Sequence, residues 1–311
     1  MLYEYANERV KGIRKSFDDA MVYAIDSYFD NRIVDLYPTT EVFEIYTSTE
    51  GMTGAKELGF AETPPVLSLN DGYSVLIEEK RFGAGIQLYE NEYRRLANDA
   101  TLKVDEILIR KRNALLRTNK QLFLDLMFGF LNHAFDTTLF AAPDGVALCG
   151  AHSWNTPGAT GFNNSGTAAL SLPAIDALEA YGGNFTDSTG HPMPLDFDTI
   201  IVKKGSATAI MAKKLFAEGI SPVAVADINI YEGSKIVIET PWITGANADF
   251  WFALASKDPN GNPMKIGIGE YPTLREPIRQ SDESILTNCT GFWKQGIVNM
   301  PYAVYGSNGT T

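Results

Sequence analysis

The sequence LKVDEILIRKRNALLRTNKQLFLDLMFGFLNHAF, residues 102–135, decides how the rest of the chain is interpreted. Apolar side chains such as Val104, Leu115, Leu122 and Phe130 recur at roughly helical spacing, and no proline interrupts the run. At about 1.5 Å per residue, the predicted helix is roughly 50 Å long, well above the usual three turns of a helix in a globular protein. A helix of this length is expected to act as a strut.

The two halves of this helix differ in character. Residues 122–135 are apolar nearly all round, whereas the middle is basic and contains no acidic residue; its cations are Arg110, Lys111, Arg112, Arg117 and Lys120. Such a helix is suited to bridge two bodies, but a solvated face of an ordinary enzyme helix explains the pattern equally well. Because no aromatic residues alternate with these cations, we expect them to meet acidic surfaces, such as Asp18 and Asp19 of another copy, in preference to nucleic acid.

The overall composition limits the class of protein. With 311 residues, the chain has room for one large or two small domains. Its net charge of −12 argues against a protein that grips nucleic acid, because such binding depends on Lys and Arg that neutralise phosphates. No apolar run approaches the roughly 20 residues that span a bilayer, and no signal-peptide core is visible, so no membrane partner is expected. Cys149 and Cys289 lie far apart and suggest neither a disulfide framework nor a metal site.

The chain before the long helix is predicted to hold a small helix and three strands. Residues 10–24 form a short amphipathic helix with little core of its own, which is expected to lie against another part of the chain or against a neighbour. Residues 41–47 and 73–79 alternate in part between apolar and polar side chains, as strands do. The loop of about 25 residues between them is too long for a hairpin turn, so it is interpreted as an extended arm or a mobile lid. Residues 82–88 alternate as the strand that leads into the helix.

After the long helix, the sequence predicts a compact α/β unit. Residues 141–166 are rich in Gly, Asn, Pro and Ser and are interpreted as an extended surface segment. Periodicity and turn signals then predict a helix capped by Ser171, a strand at 199–203, a helix at 206–218, and strands at 235–239, 249–255 and 264–269. Residues 285–304 predict one or two further strands. We expect this last stretch to pair with the strand at 82–88, which makes the domain of the long helix discontinuous and the α/β unit an insertion in it.

No arrangement of residues predicts a reaction, and no catalytic, cofactor-binding or metal-binding residue is assigned. The sequence contains three histidines without the spacing of metal ligands on one helix: His133, His152 and His191. Cys149 and His152 could form a nucleophile with its base, but no third orienting residue is identifiable. Asp196 and Asp198 could form a carboxylate pair, although alternate residues entering a strand point the same way on an ordinary surface as often as in a site.

The order of these parts resembles one protein family. An N-terminal arm, a long β-arm, a long helix, an inserted α/β domain and a returning strand follow one another as in the major capsid protein of tailed bacteriophages, which has the Hong Kong 97-type fold. Local sequence is similar as well: Asp144 to Leu148 followed by His152, the turn at residues 189–192, and the strand at 199–202 before a helix look like phage major head proteins, including Mu-like major head subunits. The resemblance covers essentially the whole chain and implies an α+β fold.

The resemblance also implies a division into parts. It makes residues 1–40 the N-arm, residues 41–79 the E-loop, residues 80–139 and 281–311 the P-domain with its spine helix at 102–135, and residues 140–280 the A-domain. Many family members begin with a long charged helical scaffolding segment that a maturation protease removes, and none is visible in this sequence. Either scaffolding comes from a separate protein or the sequence is already mature.

The implied function is structural. The family's subunits assemble with themselves into hexamers and pentamers of an icosahedral head that encloses double-stranded DNA, so the expected location is the virion, after assembly in the host cytoplasm. The implied partners are other copies, a portal and a separate scaffolding protein, with a decoration protein as a further candidate and packaged DNA in non-specific proximity. No cofactor and no enzymatic activity are expected. The two arms are expected to fold poorly alone and to gain their burial in the lattice.

Four residues are candidates for contacts between subunits: Lys56, Arg110, Arg112 and Arg117. Lys56 is included because some relatives crosslink a lysine of the E-loop to a neighbour, and it is the only lysine in this E-loop. Two other functions stay open. An encapsulin-like nanocompartment shell shares the architecture, and a cytosolic α/β enzyme would use Cys149 or the pair Asp196 and Asp198.

Overall fold

The computed structural model describes residues 11, 14–23, 30–52, 58, 63, 69–90, 92, 103–216, 230–244, 249–256 and 261–310. Helices within these residues include α1 (residues 14–23), α2 (Lys103–Asn132), α3 (Leu172–Gly183) and α4 (Ala207–Phe216). The strands before α2 are β1 (Asp35–Pro38), β2 (Phe43–Met52), β3 (Leu69–Glu78) and β4 (Lys80–Leu88). The short strands that follow α2 are β5 (Ala151–His152), β6 (Phe162–Asn163) and β7 (Ser165–Gly166). The remaining strands are β8 (Thr199–Lys203), β9 (Ile236–Thr240), β10 (Trp251–Leu254), β11 (Met264–Leu274), β12 (Ile278–Arg279), β13 (Ile285–Ile297) and β14 (Val304–Ser307).

The long helix is present as predicted. Helix α2 covers 30 residues and ends three residues before the predicted position. Its second half is buried, and Met127, Phe130 and Leu131 share one apolar cluster with residues of both large sheets. Its first half exposes polar side chains, Arg110 and Arg117 among them. The helix is therefore anchored at its apolar end, where the free energy gained by burying apolar side chains exceeds the entropic cost of ordering them.

The first large sheet, called sheet I, lies against α2. Its strand order is β1-β11-β13-β12, and β4 pairs with β13 on the other side of that strand. Strands β4 and β13 are antiparallel, with Phe82 opposite Gly291 and Leu88 opposite Ile285. This pairing confirms the expectation that the returning stretch joins the strand before the helix. Trp293 is fully buried here, with its ring centroid 4.8 Å from that of Phe82.

The second large sheet, called sheet II, is the core of the α/β unit. Its order is β7-β14-β10-β8-β9, with β8 and β9 parallel and β10 antiparallel to β8. One apolar cluster joins the two helices to this sheet and includes Leu178 of α3, Ala212 of α4, and Ile200 and Trp251 of the strands. Strand β8 is buried on both faces up to its last residue, as expected for a central strand.

Two strands belong to a different sheet from the one that chain order suggests. Strand β11, placed by sequence in the α/β unit, pairs with β13 in sheet I. Strand β14, which follows residue 281, pairs with β10 in sheet II. Alternation of apolar residues reveals a strand but not its partner, so the sequence-based placement of these two strands was wrong. The division between P-domain and A-domain at residues 139 and 280 stays a prediction. The sheet membership of β11 and β14 does not follow it.

The segment at 141–166 is not a surface segment throughout, which corrects the interpretation from composition. Leu148, Trp154 and Asn164 in it are buried. The Asn164 amide nitrogen lies 2.9, 2.9 and 2.8 Å from the carbonyl oxygens of Leu148, Pro301 and Val304, and its amide oxygen accepts the Gly150 N–H at 2.8 Å. One side chain thus satisfies backbone groups that no strand pairing satisfies, and this allows a polar segment to be buried.

Helix α1 packs against its own chain. Phe17 and Met21 are fully buried in a cluster with Leu115 and Phe123 of α2 and with Trp293. Of the two alternatives for this helix, another part of the chain or a neighbour, the structure therefore shows the first. The same contact occupies Asp18, whose carboxylate accepts the Leu274 N–H at 3.0 Å. Asp18 thus already has a partner within its own subunit.

Candidate assembly surface: the β2–β3 hairpin and the long helix

Strands β2 and β3 form an antiparallel hairpin with two different faces. In β2 the residues that alternate inward are Glu44, Tyr46, Ser48 and Glu50, and those that alternate outward are Phe43, Ile45, Thr47 and Thr49. Ile45 stands directly opposite Leu76, and Phe43 opposite Glu78. The period of two therefore places the polar side chains of β2 against the body of the subunit and Phe43 and Ile45 toward solvent, whereas β3 turns Val75 and Ile77 inward and Leu76 outward.

The outward face carries an exposed apolar strip, here called the outer strip, formed by Phe43, Ile45 and Leu76. These side chains are 63%, 69% and 54% exposed. The neighbouring Val42 is also 63% exposed, and the exposed carboxylate Glu78 lies at the rim. Contiguous exposed apolar side chains with a polar rim are typical of a protein interaction surface. The outer strip is the strongest candidate for such a surface in the part of the chain that the structure describes.

The base of the hairpin is held by a buried polar cluster. The Lys294 ammonium, fully buried in β13, lies 2.8 Å from Oε1 of Glu44 and donates to the backbone oxygen of Glu41. Glu44 also accepts hydrogen bonds from the hydroxyl groups of Tyr37, Thr39 and Tyr46. A buried ammonium is tolerated only with such a partner, so this cluster ties the hairpin to sheet I.

The cluster changes the acidity of its members. Burial alone would raise the pKa of Glu44, but hydrogen bonds from Lys294, Thr39, Tyr46 and Tyr37 outweigh it and lower the pKa to about 2. Burial raises the pKa of the Tyr37 phenol, and its hydrogen bonds with Tyr46 and Glu44 raise it further. The carboxylate of Glu44 is therefore ionised and the phenol of Tyr37 neutral across the physiological pH range.

The described parts of both arms already contact their own subunit. Helix α1 is packed through its apolar face, and the hairpin is held through Glu44 and Glu50. The expectation that the arms gain their burial only in the lattice is wrong for these residues, because long-range hydrogen bonds, invisible to local sequence patterns, satisfy the inner face. Within the described strands of the hairpin, the apolar side chains that stay exposed in the single subunit are those of the outer strip.

The predicted contact residues of the long helix have different environments. Lys111 reaches Glu92 and the Gln87 carbonyl oxygen, each at 2.7 Å, and the Arg112 guanidinium donates to Ser16 Oγ at 2.7 Å. Arg110 and Arg117 are exposed on the outer side of α2. Lys56 lies outside the described residues. Of the predicted set, Arg110 and Arg117 have the exposure that a contact with a neighbour requires, and Arg112 is engaged within its own chain.

Cys149 and His152, considered from the sequence as a nucleophile and its base, are not arranged for catalysis. Burial strongly raises the pKa of the Cys149 thiol, whose sulfur packs beside Gly306. His152 is also buried; its Nδ1 lies 3.0 Å from Asp144, and its Nε2 faces the Leu148 carbonyl oxygen at 3.4 Å. A buried thiol with a raised pKa is a poor nucleophile, and the imidazole has partners of its own.

The carboxylate pair has no catalytic arrangement either. Asp196 is exposed, while Asp198 accepts hydrogen bonds from the hydroxyl groups of Thr199 and Ser256. Within the described ranges, no three His, Cys, Asp or Glu side chains come together as metal ligands. Among the helices that the structure describes, none combines the length and the apolar character required to cross a bilayer.

Sequence reasoning missed the anchoring residues Glu44, Glu50 and Lys294. The available signal was the alternation in β2, where Glu44, Tyr46, Ser48 and Glu50 share one face of a strand whose other face is apolar. Lys294 had no local signal, because its partner lies 250 positions away in the chain.

Comparison with known proteins defines the class of fold. No model of a known protein family matches the chain, and no curated protein sequence matches it. A solved structure described as the capsid of an empty GTA particle is 12% identical with a TM-score of 0.52, covering 89% of this chain and 87% of that chain. A structure from Mycobacterium phage Bobi is 12% identical with a TM-score of 0.50, covering 91% and 89%. A structure from Microbacterium phage Oxtober96 is 9% identical with a TM-score of 0.50, covering 88% of each chain.

These likenesses establish the fold. The chain has the α+β, Hong Kong 97-type fold of phage capsid subunits, as its resemblance to major head proteins implied. The match extends over about nine-tenths of the chain.

Proposed function

We propose that this chain is a major capsid protein, the structural subunit that assembles with itself into hexamers and pentamers of an icosahedral phage head around double-stranded DNA. The observation that carries the proposal is the outer strip, an exposed apolar surface on a hairpin held in place by its own subunit, in a chain with a capsid fold. An apolar face that is held in a defined position outside the core is suited to pack against another copy of the chain.

The geometry supports contacts of the head-to-tail kind. The outer strip does not complement itself, because its rim carries Glu78, and like charges would face one another across a two-fold axis. A contact between two different patches repeats from copy to copy and closes into rings. The exposed cations Arg110 and Arg117 of α2 provide a surface of opposite charge on a neighbour. We therefore place these two residues in the contact between subunits, with Lys56 as a further contact of the same arm.

The other partners follow from the same function. A shell of this kind would work with a portal and a scaffolding protein, and a decoration protein could cover its outer surface. The net charge of −12 suits a container that holds DNA without adhering to it, since tight binding requires many cations at the phosphates. The chain would act in the virion, as a structural protein without enzymatic activity, after assembly in the host cytoplasm.

The direct test is the assembly state of the purified chain. Size-exclusion chromatography followed by electron microscopy is expected to show hollow particles, or hexamers and pentamers that convert to particles when a scaffolding protein is added. A discrete monomer or dimer that stays so at high concentration and with scaffolding would overturn the proposal. Particles that enclose a specific protein cargo and no DNA in the producing cell would indicate a nanocompartment, and turnover of a substrate by a discrete monomer would indicate an enzyme.

Reversal of the charges on α2 is expected to weaken assembly without unfolding the subunit. The double variant Arg110→Glu and Arg117→Glu should raise the concentration needed for assembly by about tenfold or more, because each reversed exposed charge costs on the order of 1 kcal/mol per contact. Light scattering at 50 to about 500 mM salt measures this, and the difference from the wild type should shrink at high salt, where screening is strong. Lys214→Glu is the matched control, since it changes an exposed charge on α4 instead. An unchanged threshold in the double variant would remove these arginines from the contact.

A further inference from the structure

The hairpin has a second anchor near the far end of its described strands, and this anchor joins it to the α/β unit. Glu50 lies on the inward face of β2 and is only 3% exposed. Its Oε1 accepts the backbone N–H of Asn155 at 2.7 Å, and its Oε2 accepts the backbone N–H of Thr156 at 2.9 Å and the Thr156 hydroxyl at 3.1 Å. The carboxylate thus receives three hydrogen bonds from one short loop about a hundred positions away.

The main chain at the same position makes a further contact. The Ser188 N–H donates to the backbone oxygen of Glu50 at 3.1 Å, and a Cβ on Gly51 would lie within 3.0 to 3.2 Å of atoms of residues 187–189. On the opposite strand, a Cβ on Gly72 would lie 2.2 Å from Ser48 Oγ and 2.8 Å from Glu50 Cγ. Gly51 therefore lets the hairpin lie close to the loop at residues 187–189, and Gly72 leaves room for the inward side chains of Ser48 and Glu50 within the hairpin.

These loops depend on the hairpin as much as the hairpin depends on them. Residues 155 and 156 lie outside helices and strands, so their N–H groups have no partner in regular secondary structure. The neighbouring Trp154 is buried among Phe162, Phe185 and Tyr302, which fixes the loop on the α/β side. A carboxylate that accepts two consecutive backbone N–H groups holds both position and direction, because both of its oxygens are used.

The two anchors hold different parts of the molecule. Glu44 with Lys294 joins the base of the hairpin to sheet I, and Glu50 joins the far end of its described part to loops of the α/β unit. Six positions separate the two carboxylates, about 20 Å of strand. Two points so far apart determine the direction of a rigid hairpin, whereas one point would leave it free to pivot.

We propose that Glu50 is a positioning residue for assembly: together with Glu44 it forms a two-point clasp that sets the direction in which the outer strip is presented to the neighbouring copy. This inference rests on the proposed function for the role of the outer strip, but the clasp is a property of the single subunit. A strip that is already oriented binds its neighbour without the entropic cost of ordering the hairpin.

The test compares Glu50→Ala with Glu78→Ala in the unassembled full-length chain. Both variants remove a carboxylate from the hairpin, but Glu78 is exposed on the outward face. Spin labels on cysteines introduced at Thr47 and Lys214, two exposed positions, report the distance between hairpin and α/β unit, and the native cysteines are both buried. We expect a narrow distance distribution for the wild type and Glu78→Ala and a broad one for Glu50→Ala. Hydrogen exchange at the amides of residues 155, 156 and 188 should accelerate at least tenfold in Glu50→Ala only.

Assembly is measured separately. Glu50→Ala is expected to lose regular particles, while Asp71→Ala, which removes an exposed carboxylate of β3 outside the outer strip, keeps them. If Glu50→Ala leaves the spin-label distance distribution and the hydrogen-exchange rates unchanged, the two-point clasp does not exist. If the distance distribution broadens but normal particles still form, the clasp has no role in assembly. If Glu50→Ala does not fold, Glu50→Gln, which keeps the volume and one acceptor oxygen, should show faster exchange at one of residues 155 and 156. Failure of the wild type to assemble would count against the proposed function alone. The distance distribution and the exchange rates are measured on the unassembled chain and would still test the clasp.

Discussion

Replacement of the outer strip by ion pairs is expected to abolish assembly and to leave the subunit folded. The variant combines Phe43→Lys, Ile45→Glu and Leu76→Lys. Phe43 stands opposite Glu78, and Ile45 opposite Leu76, so each new charge faces an opposite charge across the hairpin. Cross-strand pairs of opposite charge are compatible with an antiparallel hairpin.

The expected size of the effect follows from the surface that would be covered in the lattice. Burial of a Phe, an Ile and a Leu that are more than half exposed stabilises one contact by about 3 kcal/mol, and its loss weakens that contact more than a hundredfold. Since every subunit of a closed shell uses the contact, particles should disappear at concentrations at which the wild type assembles fully. Electron microscopy and sedimentation measure the particles, and circular dichroism with thermal unfolding checks the fold.

A matched control lies on the same face of the same hairpin. Thr47 stands opposite Ser74, so Thr47→Glu with Ser74→Lys adds a similar ion pair without removing an apolar side chain. This control is expected to assemble. Normal particles from the triple variant would show that the outer strip is not the surface between copies, and the central observation behind the proposed function would then be lost.

Removal of the Glu44 carboxylate is expected to destabilise the subunit strongly, and more than removal of its partner. Glu44→Leu leaves the ammonium of Lys294 buried without a counter-charge, which costs about 3 to 5 kcal/mol. Lys294→Met leaves Glu44 partly solvated, at 20% exposure, with three hydroxyl donors, and should cost less. The double variant should recover most of the loss, because neither charge is then buried. Urea unfolding of the unassembled subunit at pH 7 measures all three, and equal costs for the two single variants would contradict this account.

The same cluster predicts how stability depends on pH. The pKa of Glu44 is about 2 in the folded chain, below its ordinary value of 4.5, so its contribution is complete above about pH 4.5. It is lost as the pH falls from 4.5 toward 2, because the carboxylate must then take up a proton that the folded state resists. The loss should amount to about 2 kcal/mol in the wild type and less in Lys294→Met, in which the pKa of Glu44 is no longer held down by the ammonium. Urea midpoints at pH 5 and pH 3 compare the two, and equal acid sensitivity would argue against Lys294 as the cause.

Local patterns predicted the elements of this fold well. The long helix was predicted within three residues at its C-terminal end, since an uninterrupted apolar stripe depends only on nearby residues. The pairing of β4 with β13 was also predicted, from the order of the parts. The sheet membership of β11 and β14 was not, because a strand's own alternation is the same in either sheet.

The candidate surface was predicted only in outline. The arm at 41–79 was predicted from its length and from the family resemblance, and Arg110 and Arg117 were predicted as contact residues from their charge; both stay predictions. The engagement of Arg112 by Ser16 could not be foreseen, since the two residues are 96 positions apart. Which face of the hairpin is inward was only partly predictable, because β3 turns Val75 and Ile77 inward as hydrophobic patterning expects, whereas β2 turns its polar face inward.

The sequence by itself determined the long helix and the order of strands, because periodicity and turn residues act over a few positions, and its resemblance to a known family implied the α+β class. Only the tertiary structure decided where the hairpin lies and what it exposes. That outcome depends on the hydrogen bonds that Glu50 accepts from the N–H groups of residues 155 and 156 and on the ion pair between Glu44 and Lys294. Such contacts form between groups that are distant in the chain, and their strength comes from burial that exists only once both sheets have been assembled.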